Sequence, residues 1–155
     1  MTNFPRNCLA AAAGALFLTL STAASAASMP MPPEKAIKAR QAAYFLMGQQ
    51  MARINATIKG DMPFDKQELQ LNAHSLELLS RLVVDNYPAG SDQGSKAKPE
   101  VWKDAARFRH LAEAMTLETG GLKNAISNGD LPLLKAAYGK VSQSCKACHD
   151  NFKAR

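Results

Sequence analysis

From Pro33 onward, apolar residues recur in alternating steps of three and four, the spacing that gathers them on one face of a helix. The first such segment opens on Pro33, a favoured first helical residue, and carries Ile37, Tyr44, Met47, Met51, Ile54 and Ile58 along one seam, with Arg40 as its single charged member. Gly60-Asp61-Met62-Pro63 ends that helix. The next starts with a full set of local signals: Asp65 as N-cap, Glu68 three residues later, and Phe64 placed to staple onto Leu69. Capping of this kind is worth about 1 kcal/mol. Leu69, Leu76, Leu79 and Val83 keep the rhythm until "DNYPAGSDQGSKAKP", residues 85–99, interrupts it as the one long loop.

A third helix is expected from about Pro99, with Val101, Ala105, Phe108, Ala112, Met115, Leu122 and Ile126 on one face. Within it Gly120-Gly121 predicts a kink or a frayed turn, since each glycine costs about 1 kcal/mol in a helix interior. Asn128-Gly129 stops it and Asp130 caps a fourth helix, along which Leu134, Tyr138, Val141, Cys145, Cys148 and Phe152 continue the pattern. No alternating run of strand length interrupts these segments. The class is therefore all-α, and two short connections around one longer loop predict an antiparallel up-down-up-down four-helix bundle.

The start of the chain reads differently. Arg6, an uncharged apolar stretch from Leu9 to Leu20, and Ala24-Ser25-Ala26 form the pattern of a cleaved secretory signal peptide over residues 1–26. Its apolar core falls short of the roughly 20 residues of a membrane span. The expected mature chain, residues 27–155, is one domain without a membrane segment, and Cys8 departs with the signal.

Two cysteines then remain, in Cys145-Lys146-Ala147-Cys148-His149. C-x-x-C-H reads as a c-type haem attachment site. On a helix, residues i, i+3 and i+4 share a face, so two thiols can form thioethers with one macrocycle while the histidine meets its iron. A redox C-x-x-C belongs after a strand in a βαβ setting, which this chain lacks, and a zinc site would want two more close Cys or His ligands. His74 and His110 are isolated on separate helices and read as solvent-facing. The cofactor expected is one covalent haem c, with His149 as axial iron ligand. None of the six residues after His149 is Met or His, so any second ligand is expected from upstream.

Charge adds a little. The chain has 19 basic and 13 acidic side chains, a formal +6, or about +5 without Arg6, spread along the sequence and not clustered. That argues against nucleic acid, argues weakly for acidic partners and supplies counter-charges for two haem propionates. Arg40 stands out, because an unpaired cation on an apolar seam costs several kcal/mol and propionates would be its natural partners, with a protein carboxylate or a solvent-directed side chain as alternatives. Met47, Met51 and Met115 sit at core spacing, where Met is usually a gap-filler, and Trp102 reads as core or loop packing.

Taken in order, "PEKAIKARQ", "IKGDMPFD", "PEVWKDAARF" and "SCKACHDNFK" make the predicted mature chain resemble the class II c-type cytochromes, the cytochrome c′ family. The resemblance implies a left-handed four-helix bundle in the bacterial periplasm, forming a homodimer through its first two helices. It implies five-coordinate, high-spin haem iron. Carried across residue by residue, Cys145 and Cys148 match the thioether cysteines and His149 the sole protein ligand. Arg40 and Gln41 match a pair beside the propionates, and Tyr44 matches the side chain that covers the vacant distal face, with Met47 one turn further into the distal pocket. Lys153 matches a basic residue near the proximal face; where relatives have Arg it keeps the charge without the planar donor fork.

Two functions follow from this reading. In the first, a crowded and mostly apolar distal pocket binds NO and CO and disfavours polar bound O₂, with NO protection, electron transfer or both as the use. In the alternative, Met47 or another upstream side chain ligates iron, giving a six-coordinate low-spin electron carrier whose redox partner the sequence does not name. Neither reading expects an enzyme, since no acid–base pair or substrate cleft is visible.

Overall fold

The computed structural model describes residues 31–154, and the expected signal peptide at residues 1–26 lies outside them. Four long helices carry the fold: α1 (Pro33–Lys59), α2 (Lys66–Val84), α4 (Ala105–Asn128) and α5 (Leu131–Phe152), with a single turn, α3 (Glu100–Lys103), before α4. α1 packs on α2, α2 on α4 and α4 on α5, while α1 and α5 touch only sparsely, so the bundle is parted along one side. None of the described helices is long and apolar enough to cross a membrane.

Local chemistry sets the helix ends. Asp65 accepts hydrogen bonds from the Gln67 and Glu68 amides at 2.9 and 3.0 Å, and Asp130 accepts from Leu133 at 2.9 Å. Glu68 does not complete a reciprocal capping box, because the Asp65 amide turns to the Pro63 carbonyl instead. Gly60 and Gly129 close α1 and α4 with positive φ of 83° and 70°, a conformation that a side chain would strain.

The third helix departs from expectation in two ways. It does not run unbroken from Pro99: Asp104 takes φ −122° and ψ 53°, ends α3, and accepts from the Arg107 amide to start α4. Aspartate competes for backbone donors and so makes a better cap than a helix interior. The break also turns Ala105 outward to solvent, while Val101, Phe108, Ala112, Met115, Leu122 and Ile126 are buried as the seam predicts. Conversely, Gly120-Gly121 is not a frayed turn; α4 runs unbroken through it, with the fully buried Thr119 and Leu122 on either side.

The core separates into two clusters. Ile54, Leu69, Leu76, Leu122, Ile126, Leu134 and Val141 fill the middle of the bundle. Phe108, Phe152 and Val101 form a second cluster with Tyr87 and Trp102 beneath the long loop. That loop is stitched to the end of α5: the Lys98 amide donates to the Phe152 carbonyl at 2.9 Å and the Ala154 amide to the Lys96 carbonyl at 2.8 Å.

Across α2 and α4, the Glu77 carboxylate accepts from Lys123 at 2.5 Å and from Arg81 at 2.7 Å, and these two cations hold its pKa down to about 2 from an ordinary 4.5. A lowered folded-state value means the stabilisation is complete above pH 4.5 and is lost as pH falls toward 2. We expect the urea midpoint of the wild-type protein to exceed that of Glu77→Gln at pH 7 and the gap to shrink by pH 3. A gap independent of pH would show that the carboxylate charge is not what the two cations recognise.

Candidate functional site

Where α1 and α5 part, a cavity of about 390 Å³ opens into the bundle. That is within the range of a cofactor or ligand site. α5 supplies Cys145, Cys148, His149 and Phe152 as one wall; α1 faces it with Arg40, Gln41, Tyr44, Met47 and Met51. Leu76 and Val83 of α2, and Phe108, Ala112 and Met115 of α4, close the interior, and Lys96 and Lys153 stand at the mouth. All eight residues singled out from the sequence, Cys145, Cys148, His149, Arg40, Gln41, Tyr44, Met47 and Lys153, therefore line a single cavity.

Both cysteines are free and half-buried, with Cys145 Sγ 3.9 Å from Met115 Sδ. Burial pushes the Cys145 thiol up, and burial together with Cys145 pushes Cys148 to about 11. A redox dithiol needs the opposite shift, toward thiolate. Nor does a third His, Cys, Asp or Glu join the pair as a metal cage among the described residues. Thiols in this setting lack the thiolate character of a redox pair and line the cavity where a macrocycle's edge could meet them. His149 has its pKa lowered by burial and then by Lys153, which keeps the imidazole neutral and able to offer a lone pair.

Arg40 finds partners that the sequence did not suggest. The residue is 3% exposed, and its guanidinium is engaged by neutral oxygens of the long loop: Nη1 donates to the Asn86 carbonyl at 3.1 Å and to Ser91 Oγ at 2.8 Å, and Nη2 to the Ser91 carbonyl. It also lies 4.6 Å from the centroid of the Tyr87 ring. Guanidinium has five donors and these bonds use three. The partners of the seam cation are thus loop oxygens, not a protein carboxylate or solvent, and two donors remain beside the cavity.

Tyr87 is the residue that sequence reasoning missed. Its hydroxyl is 2.9 Å from that of Tyr44, and its ring packs edge-on against Phe108 at 4.8 Å and Trp102 at 6.0 Å. Burial raises the pKa of both tyrosines, so two neutral hydroxyls face each other at the α1 side of the cavity. The pocket is consequently less uniformly apolar than its helical seams suggest. The only available signal was an aromatic residue set before Pro88 in an otherwise small and polar loop. Trp102 does pack the loop, donating Nε1 to the Tyr87 and Pro88 carbonyls at 3.1 and 3.3 Å, and His74 and His110 are exposed away from the site.

The cavity fits the cofactor that C-x-x-C-H implies. Two thiols and a neutral imidazole share one wall, the interior is lined by apolar side chains, and the cations Arg40, Lys96 and Lys153 line it as counter-charges for carboxylates.

Known proteins agree with this reading. The sequence family described as Cytochrome C′ matches residues 35–153. A cytochrome c′ of Alcaligenes xylosoxydans xylosoxydans is 38% identical over 123 residues, covering 79% of this chain and 96% of the relative. Two solved structures of Alcaligenes xylosoxidans cytochrome c′ variants superpose well. One is a nitric oxide complex, with TM-score 0.74 and 38% identity over 79% of this chain and 96% of that one. The other is bound to carbon monoxide, with TM-score 0.75 and 38% identity over 80% and 98%.

Proposed function

Because the chain belongs to the cytochrome c′ family, whose members carry covalently bound haem c, we propose that it is a gas-binding haem protein with one open iron site. The single observation carrying this reading is that Cys145, Cys148 and His149 open onto the same cavity as Tyr44 and Met47, from opposite walls. Cys145 and Cys148 would hold the group by thioethers and His149 would be its axial ligand. Bound there, the haem supplies an iron centre that takes a diatomic gas or an electron.

The chain's own residues do the rest. The remaining donors of Arg40, with Gln41, and the ammonium groups of Lys96 and Lys153 would meet the propionates. Leu76, Val83, Phe108, Ala112 and Met115 keep water from the interior, which favours neutral diatomics such as NO and CO. Tyr44 covers the distal side. The role fits NO binding, with protection from NO or electron transfer as its use.

We place the protein in the bacterial periplasm, on the strength of the signal pattern at residues 1–26. A homodimer through α1 and α2 is supported by the large apolar side chains these helices leave exposed, Phe45 and Leu46 on α1 and Leu71, Leu78 and Leu82 on α2.

Titrating the reduced holoprotein with CO, and separately with NO, tests the proposal. We expect one equivalent of each gas to bind per chain, with a change in the haem spectrum. Failure to bind either would overturn it. Met47, 5% exposed on the cavity wall, is the observation behind the competing reading of a Met-ligated electron carrier. In that case CO would have to displace a ligand.

A further inference from the structure

We infer that Tyr87 is a positioning residue of the distal pocket, holding Tyr44 in place through a hydroxyl–hydroxyl bond that an incoming gas must break. The inference rests on the proposal that Tyr44 covers the distal side, and goes beyond it by naming what holds that cover shut.

Tyr87 is fixed from every direction except the cavity. Its backbone carbonyl accepts from Trp102 Nε1 at 3.1 Å, its ring is held edge-on by Phe108 and Trp102, and the Arg40 guanidinium sits over the ring face at 4.6 Å. Arg40 also clasps the loop on both sides of it, at Asn86 and Ser91. Tyr44, by contrast, projects from α1 on the thinly packed side of the bundle, and its hydroxyl bonds Tyr87 and no other side chain. Any displacement of Tyr44 therefore separates the two hydroxyls. Both are largely buried, as their raised pKa values reflect, so the separation leaves donors and acceptors without partners. A nonpolar diatomic such as CO offers nothing to replace that bond. One net hydrogen bond corresponds to about a fivefold change in an equilibrium or rate. Tyr87 thus sets a barrier that applies to every ligand entering past Tyr44, and it is the loop, not the helix bearing Tyr44, that determines the barrier's height.

The test is CO recombination after flash photolysis on the holoprotein, with wild type, Tyr44→Phe, Tyr87→Phe, the double variant and Tyr44→Ala. We expect each Phe variant to bind CO about fivefold faster, and the double variant to be no faster than either alone, because each single change already removes the one shared bond. Urea unfolding of the same proteins supplies a readout independent of gas binding: the two Phe changes should be non-additive there too, with the Tyr87→Phe ring packing retained. If Tyr87→Phe leaves CO binding unchanged while Tyr44→Ala accelerates it tenfold or more, Tyr44 covers the site but Tyr87 does not hold it. Rates that multiply in the double variant would likewise overturn the shared bond. If neither Tyr44→Ala nor Tyr87→Phe alters CO binding, the distal placement of Tyr44 fails and the inference fails with it.

Discussion

Replacing Cys145 and Cys148 together by Ser yields a chain with no covalently bound haem: its mass is that of the polypeptide alone, and acid–acetone removes any colour. Each thiol sits on the cavity wall and neither has another partner that the substitution would disturb, since both are free and Met115 lies at a loose 3.9 Å. The consequence for stability is larger than loss of two side chains. A cavity of about 390 Å³, at ~24 cal/mol per Å³, corresponds to about 9 kcal/mol if it stayed dry, an upper bound because its mouth is open to water. That approaches the whole stability of a domain of this size, roughly 5–15 kcal/mol. The double-Ser chain should therefore keep much of its helical circular dichroism while losing a sharp thermal transition. A double-Ser protein that retained haem through acid–acetone would contradict the assignment of these thiols.

Arg40→Leu should lower stability by about 3 kcal/mol and the melting temperature by about 10 °C, since it strands buried oxygens that a cation now satisfies. Ser91 is fully buried, so its hydroxyl cannot turn to solvent; its carbonyl keeps only the Ser95 hydroxyl at 3.3 Å, and the Asn86 carbonyl loses its partner as well. Amide exchange across residues 86–98 should rise with the loss, because Arg40 ties that loop to α1 at Asn86 and Ser91, leaving the Tyr87–Tyr44 hydroxyl bond as the other tie. Arg40→Lys restores the charge without the fork and should recover only part of the effect. Ser91→Ala, which removes one acceptor and leaves two carbonyls bonded, should cost about 1 kcal/mol. A melting temperature within two degrees or so of wild type for Arg40→Leu would show that Trp102, the Tyr87–Tyr44 bond and the bonds to the end of α5 hold the loop without Arg40.

The parts of this molecule that repeat along a helix were legible in its sequence. The three-four spacing of Met47, Ile54, Leu69, Leu76, Leu122 and Val141 carries burial directly, and Cys145, Cys148 and His149 share a face because the same period holds. Asp65 and Asp130 were legible for a related reason, since a cap acts within three residues of itself. Asp104 was not, because an aspartate five residues after Pro99 is equally compatible with an exposed helical position and with a second start. Gly120-Gly121 suggested a frayed turn that is not there: propensity predicts weakness, but the helix stays continuous where Thr119 and Leu122 are fully buried. The loop is where sequence reasoning ran out. Tyr87 reaches Tyr44, and Ser91 reaches Arg40, across more than forty residues, through single side-chain hydroxyls that leave no period to read. Arg40 reads as a cation in need of propionates, a carboxylate or solvent; neutral loop carbonyls and a hydroxyl, which no spacing announces, take three of its donors.

The central claim, an iron held by His149 with its opposite face open toward Tyr44, is tested most directly by the absorption spectra of the purified holoprotein, ferric and ferrous, with and without CO. The account predicts high-spin, five-coordinate spectra in both oxidation states and conversion of the ferrous form to a low-spin six-coordinate species on adding CO. A sharp low-spin ferrous α-band without CO, together with the thioether-to-iron charge-transfer band in the ferric protein, would contradict it and identify a methionine, Met47 first, as the sixth ligand.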